Sequence, residues 1–511
     1  MKFSVQKIGK LITDQPAWQL PPDAITTANN VRVNDYQLGT IGGHSQFFQG
    51  TAAPYFVMPI TDGSTYYWLY MGLDDGYIYN GTASTNITRA AGVYTGSATD
   101  RWNGCIINGV PVVNNGVDDP QMFAPISTAT DLILLTAWDT NWKAKVIRQY
   151  KNFLVALNVT KSSVVNAHMI KWSDIADSGT VPSSWDETSA STLAGETYLS
   201  ETDGILIDAV QLRDELIIYK EDSVYGMQFI GGVNVFRFRR IRGLGGILAQ
   251  QCAVEFDRGH FVVGGATSRD IYIHDGQSSV SIAEDIVRDA FFSDLDSDNY
   301  ASTFVVPHYT KKEIWICYPS SGSSLPDKAL IWNYLKDQWT FTELPANTTH
   351  GDSGVVDITA YTWATLPYTT WDEWTGIWNE RQFSPVTDTL VMASTDTWTY
   401  KFEDGNQFDG VNAKCTIERI GLDIGDSSDY HMVTAIYPYI EGSSVNVYIG
   451  SQASQNASVT WEGPYVFDPS TDYKVNVRRS GRLHAIRFES EANVQWALSG
   501  YGLEYQDSGK R

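Results

Sequence analysis

The chain has 511 residues, 43% of them hydrophobic, with 36 Lys and Arg against 59 Asp and Glu for a formal charge of −23. The apolar share excludes wholesale disorder, and the length exceeds one small core, so several domains or a repeat architecture is expected. The acidity excludes a protein that wraps nucleic acid by neutralising phosphates, although a like-charged wall can surround a duplex without sticking to it.

The opening "MKFSVQKIGKLITDQPAWQL" (1–20) lacks the continuous apolar core of a signal peptide. No stretch approaches the roughly 20 apolar residues of a membrane span, so no membrane segment is expected. Cys105, Cys252, Cys317 and Cys415 stand far apart, with no CxxC pair and no Cys-His spacing for zinc. They read as four buried free thiols, which suits folding in a reducing cytoplasm.

Along the chain, period-two alternation predicts strands at 66–72, 105–115, 153–159, 215–221, 260–265, 313–319, 329–334 and 445–450. Gly, Asn-Gly, Asp-Gly or Pro bounds them, the punctuation of hairpins. "YIYNG" (77–81), "IYIHDG" (271–276) and "WTYKFEDG" (398–405) repeat one device, alternating residues that run into an Asn-Gly or Asp-Gly turn. Segments 216–229 and 330–341 share the strand-turn-strand logic. Successive hairpins of this kind read as the blades of a degenerate β-propeller, which hides its strand edges by closing a circle. The single predicted helix covers 281–292, with Ile282, Ile286 and Phe291 near one face. Past about residue 410 the strands lengthen and alternate more cleanly, and Ser480-Gly481 is expected to turn a hairpin between two of them. About 100 such residues suffice for an antiparallel sandwich. The predicted organisation is all-β: an N-terminal strap over 1–50, a propeller over 51–408 with a Trp-rich excursion at about 355–386, and a sandwich-like platform over 409–511.

Three constellations carry possible chemistry. Trp371, Trp374 and Trp378 stand at i, i+3, i+7 beside Asp372, Glu373 and Glu380. They read as anchors of a surface strap or an intersubunit seam; the competing reading is a sugar platform, but adjacent carboxylates rarely supply both roles of a glycosidase. Asp294, Asp296 and Asp298 alternate as in a calcium loop but lack its Gly and its closing Glu, so a solvated helix exit is expected and no metal. Arg237, Arg239, Arg240 and Arg242 form the densest cationic run and read as ion-pair or partner-contact residues, with phosphate contact as the sharper alternative. No HExxH, GxSxG or nucleotide fingerprint appears, so no catalytic residue, no cofactor and no enzymatic activity are expected.

Several stretches together resemble the tail nozzle or hub proteins of short-tailed bacteriophages, the tail tubular protein B family. They are "LPPDAITTANNVRVNDYQLGTIGG" (20–43), "MIKWSDIADSGTVPSSW" (169–185), the run from 216 to 276, "EIWICYP", "ALIWNYLKDQWTF", the "TWDEW" of the tryptophan cluster and "LHAIRFESEANVQWALSGYGLEY" (483–505). The resemblance implies a propeller with a β-rich platform, six copies of which ring a channel in the virion tail after assembly in the host cytoplasm. It implies a tail adaptor below the portal as one partner, tail fibre or spike proteins as others, and viral DNA passing through without specific binding. It brings no catalytic residues. The alternative is a carbohydrate-binding or polysaccharide-degrading tail propeller.

Overall fold

The computed structural model describes residues 1–511 apart from 35–36, 64, 233, 266–267, 357–387, 426–428 and 510–511. Local turn chemistry sets the repeating unit. Asn103–Ile107 and Val110–Asn114 pair antiparallel around Asn108-Gly109, whose φ angles of 50° and 85° are both positive. A two-residue turn of that hand matches the twist of the flanking strands, and glycine adopts it without steric cost.

Among the described residues, seven four-stranded antiparallel blades follow one another. Their first strands are Phe56–Asp62, Asn103–Ile107, Trp142–Tyr150, Leu206–Leu212, Ala253–Phe256, Phe304–His308 and Thr348–Val355. Each packs beside the next, and the last packs beside the first, so the blades close a circle. The seventh blade continues with Asp388–Ser394 and Trp398–Phe402 and takes its outer strand, His44–Gln49, from the other end of the chain. That pairing ties the circle shut.

The propeller core lies between blades, because each blade buries both faces. Phe48, Trp68, Tyr70 and Val391 fill the seam between blades seven and one, and Tyr150, Leu157, Trp172, Leu216 and Phe236 fill that between three and four. Second strands therefore read as nearly continuous apolar runs, as in Phe153–Lys161. The repeated hairpin device marks the third strands of blades one, five and seven: Gly76–Tyr79, Ile271–His274 and Trp398–Phe402.

The remaining strands form a two-sheet sandwich. One sheet holds Lys2–Val5, Val31–Asn34, Gln37–Thr40, Trp496–Gly509, Tyr430–Gly442 and Val475–Gly481. The other holds Thr27–Asn29, Cys415–Leu422, Leu483–Ser490, Val445–Gln452 and Thr460–Phe467, and it runs on through Thr27–Asn29 into the outer strand of blade six, Gln338–Glu343. Four strands of the first 40 residues, Lys2–Val5, Thr27–Asn29, Val31–Asn34 and Gln37–Thr40, thus belong to the sandwich.

Two local expectations are corrected. Ser480-Gly481 turns no hairpin: Val475–Gly481 pairs in the first sheet and Leu483–Ser490 in the second, so the chain crosses the sandwich there. The helix spans Arg288–Asp294 only. Its first amides, Asp289 N and Ala290 N, donate to the carboxylate of Asp14 at 2.8 and 3.0 Å, so a distant residue caps it. No helix among the described residues is long and apolar enough to cross a membrane.

Candidate functional site

Phe236–Ile241 is the outer strand of the fourth blade. Phe236 and Phe238 turn toward blade three, where Trp172 lies 5.3 and 5.9 Å from their ring centres. Arg239 Nη2 holds Glu215 Oε2 at 2.6 Å, an ion pair internal to the blade. Arg237 and Arg240 are exposed on opposite faces of the strand, and Arg242 is exposed just beyond its end. None of these three has an ion-pair partner among the described residues. The rim of this blade is a cationic edge on an acidic chain. Of the four arginines singled out in the sequence, one is structural and three face solvent. Trp371, Trp374 and Trp378 lie outside the described residues, between the first and second strands of the seventh blade.

The propeller axis carries a polar belt that sequence reading missed, because its members are scattered over 250 residues. Arg148 Nε and Nη2 donate to the two oxygens of Asp208 at 2.8 and 2.9 Å, joining blades three and four. Arg148 Nη1 also reaches Gly104 O of blade two at 3.2 Å. Asp208 accepts the Gln251 amide at 2.8 Å, and the Gln251 side chain stands 3.0 Å from His350 Nε2 of blade seven. His350 Nδ1 accepts the Val57 amide of blade one at 3.3 Å. Arg101 completes the belt by donating to the carbonyls of Gln250, Ala301 and Thr303 at 2.8–2.9 Å.

The belt closes the axis and leaves a cavity at each end. One, of about 430 Å³, is lined by Met58, Arg148, Gln251, Tyr309, Asp352 and Asp388 among others. The other, of about 530 Å³, is lined by Asp100, Arg101, Lys145, Asn158 and Glu221 among others. Burial, reinforced by Asp388, pushes the Asp352 carboxyl up to about 7 against the opposing hydrogen bond from Ser353 N. Burial and the Arg101 and Arg148 cations hold His350 down at about 3, so it is neutral at pH 7.

Two of the three aspartates, Asp294 and Asp296, serve structure. Asp294 binds Lys328 at 2.9 Å and accepts the Tyr318 hydroxyl at 3.0 Å. Asp296 accepts the amides of Asp298, Asn299 and Gly322. No group of three or more His, Cys, Asp or Glu positioned for a metal occurs among the described residues. Cys252, Cys317 and Cys415 are buried free thiols, and Cys105 is half-buried at the axis.

These features define an all-β protein, a seven-bladed β-propeller joined to a β-sandwich platform. No protein-family model matches the chain, and no curated protein matches it. Among solved structures it is similar to BBS1N in complex with ARL6DN, at 10% identity and a TM-score of 0.31 over 63% of this chain and 94% of that one. It is similar to an exo-beta-1,3-galactanase from Phanerochaete chrysosporium, at 9% identity and a TM-score of 0.27 over 91% of this chain and all of that one. It is also similar to apo AztD from Citrobacter koseri, at 10% identity and a TM-score of 0.29 over 57% and 89%. The expectation of no enzymatic activity is corrected here, since an enzyme stands among the similar structures. The physical reason is that function lives in side chains grafted onto a fold, and a fold without a recognisable motif still accommodates catalysis. The likeness is weak and assigns this chain no substrate and no catalytic residue.

Proposed function

We propose that the chain is a nozzle or hub subunit in the tail of a short-tailed bacteriophage, with six copies forming a ring through which DNA leaves the capsid. The observation that carries this reading is the cationic rim of blade four: Arg237, Arg240 and Arg242 are exposed and have no ion-pair partner among the described residues, on a chain of charge −23. A cyclic ring needs heterologous contacts, in which one patch meets a different patch, and a basic edge finds its complement on an acidic neighbour. Arg101, Arg148, Asp208 and Gln251 are joined by hydrogen bonds across the propeller axis, which supports a passage for DNA between copies in place of one along that axis. Six times −23 is −138, a wall that repels a duplex wherever its acids face the passage. The resemblance of 20–43, 216–276 and 483–505 to tail nozzle proteins supports the same reading. It names the tail adaptor and the fibres or spikes as partners and the virion tail as the location.

Negative-stain electron microscopy of the purified chain, alone and mixed with adaptor-bearing capsids, tests the proposal. Sixfold rings or a new knob at the capsid vertex are expected, and Arg237→Glu combined with Arg240→Glu and Arg242→Glu disperses them while the circular dichroism spectrum stays unchanged. Single particles that never join the capsid would overturn the reading, as would intact rings in the triple variant.

A further inference from the structure

The outer face of the first sandwich sheet carries a groove of about 400 Å³ whose wall is tyrosine. Tyr437 and Tyr439 point from the same face of Tyr430–Gly442, and their partners across the ladder are Gly502 and Gly500. Ser4 lies opposite Gly502 on the far side. With no side chain at 502, Tyr439 lies across that glycine, and Ser4 Oγ stands 3.4 Å from Tyr439 Oη, whereas the space over Gly500 is taken by the Val5 and Gln6 backbone. A Cβ at 502 would sit 3.2 Å from that same hydroxyl. The trough exists because the register sets tyrosine against glycine.

Tyr473 forms the side wall. It comes from the connection after Thr460–Phe467, is 80% exposed, and meets Tyr437 edge to face with centroids 5.5 Å apart at 78°. The Tyr437 hydroxyl donates to Glu504 Oε2 at 2.7 Å, which fixes the ring against which Tyr473 leans. The ammonium groups of Lys2 and Lys474 lie 5.3 and 5.9 Å from the Tyr437 centroid. Asp472 and Glu441 complete the rim.

This lining matches one ligand chemistry. A pyranose has a face of C–H bonds edged by hydroxyls, and an aromatic ring next to polar groups receives both at once. Tyr473 offers a free face, while Ser4, Tyr439, Asp472 and Lys2 offer donors and acceptors at the edge. Lys2 and Lys474 stand against Glu504, Asp472 and Glu441, so the groove has no excess of positive charge that calls for an anionic ligand. Its volume falls in the range of small-ligand sites, about 300–1,000 Å³. We propose that this groove binds a neutral hexose-containing saccharide, with Tyr473 as the stacking platform. The proposal stands whether or not the chain forms a ring.

Affinity electrophoresis of the full chain in native gels containing dextran, laminarin, mannan or galactan tests it. Retardation by at least one polysaccharide is expected. Tyr473→Ala should weaken it about tenfold, the loss of one stacking contact, and Tyr439→Phe should weaken it less. Tyr473 is exposed, so its truncation leaves the fold intact, which circular dichroism checks. The Trp371→Ala, Trp374→Ala double variant should be retarded like the parent. Migration unaffected by all four polysaccharides would overturn the proposal. So would retardation that survives Tyr473→Ala or that disappears in the tryptophan variant.

Discussion

Arg32 Nε and Nη2 donate to the two carboxylate oxygens of Glu313 at 2.7 and 2.9 Å, fastening a sandwich strand to the second strand of the sixth blade. Arg32 Nη1 reaches Glu403 Oε1, next to the seventh blade, at 2.6 Å. The three side chains are 6%, 2% and 11% exposed, so the triad is withdrawn from water at the junction of platform and propeller. Burial opposes the Arg32 charge, but Glu313 and Glu403 outweigh it and hold the guanidinium above its ordinary value.

Arg32→Ala leaves Glu313 buried without a cation and Glu403 with only Lys311, at 3.3 Å, and is expected to cost about 3–5 kcal/mol. Replacing all three residues, as Arg32→Met, Glu313→Leu and Glu403→Leu, should cost less than the single change. Chemical denaturation of the two variants checks the order, and a triple variant weaker than Arg32→Ala would count against the argument.

Acid should destabilise the fold through buried histidines. His260 Nε2 donates to Gln211 O at 2.8 Å, so its Nδ1 accepts the Tyr219 hydroxyl at 2.7 Å. His274 Nδ1 accepts the Gly276 amide, so its Nε2 donates to Tyr219 Oη at 2.6 Å. Every proton in this chain is assigned with both rings neutral. Burial lowers His260 to about 4 and His274 to about 3, against an ordinary 6.5. The unfolded chain therefore takes up protons first: stability is complete above about pH 6.5 and falls as the pH drops toward 4. Each such histidine contributes up to about 1.4 kcal/mol per pH unit. His44 and His484, each lowered to about 4 by burial, add to the slope. Guanidinium midpoints at pH 7.5 and 5.0 measure it, and equal midpoints would contradict the assignment.

The axial belt makes a prediction about propeller closure. Asp208 is 1% exposed and serves both Arg148 and the Gln251 amide. Asp208→Ala strands the Arg148 cation and should cost about 3–5 kcal/mol, whereas Asp208→Asn, which keeps an acceptor, should cost less. Thermal unfolding of both variants separates the two terms; equal losses would mean that charge is not what the belt supplies.

Much of the blade pattern is legible along the chain, because a hairpin is a local object. Alternation with period two followed by Asn-Gly or Asp-Gly marks the third strands at 76–79, 271–274 and 398–402 without reference to anything distant. The number of blades is not legible. First strands such as Ala253–Phe256 are short, and the seventh blade borrows its fourth strand from His44–Gln49. Ser480-Gly481 misleads for a related reason: two alternating strands joined by a tight turn read the same whether they pair with each other or cross between sheets. In the cationic run, the inward Phe236 follows from alternation, but the Arg239 pairing with Glu215 depends on which strand lies alongside.

By itself the sequence determined the all-β class, the hairpin turns, the change of strand character past about 410 and the absence of a long apolar helix, because all are set by neighbours within a few residues. Only the tertiary structure decided the rest. It assigned Lys2–Val5, Thr27–Asn29, Val31–Asn34 and Gln37–Thr40 to the sandwich, tied Arg148, Asp208, Gln251 and His350 into a belt, and set Tyr437 and Tyr439 against Gly502 and Gly500 in the ladder. Those relations depend on ladder register and circular closure, which join residues separated by tens to hundreds of positions and leave no periodic trace along the chain.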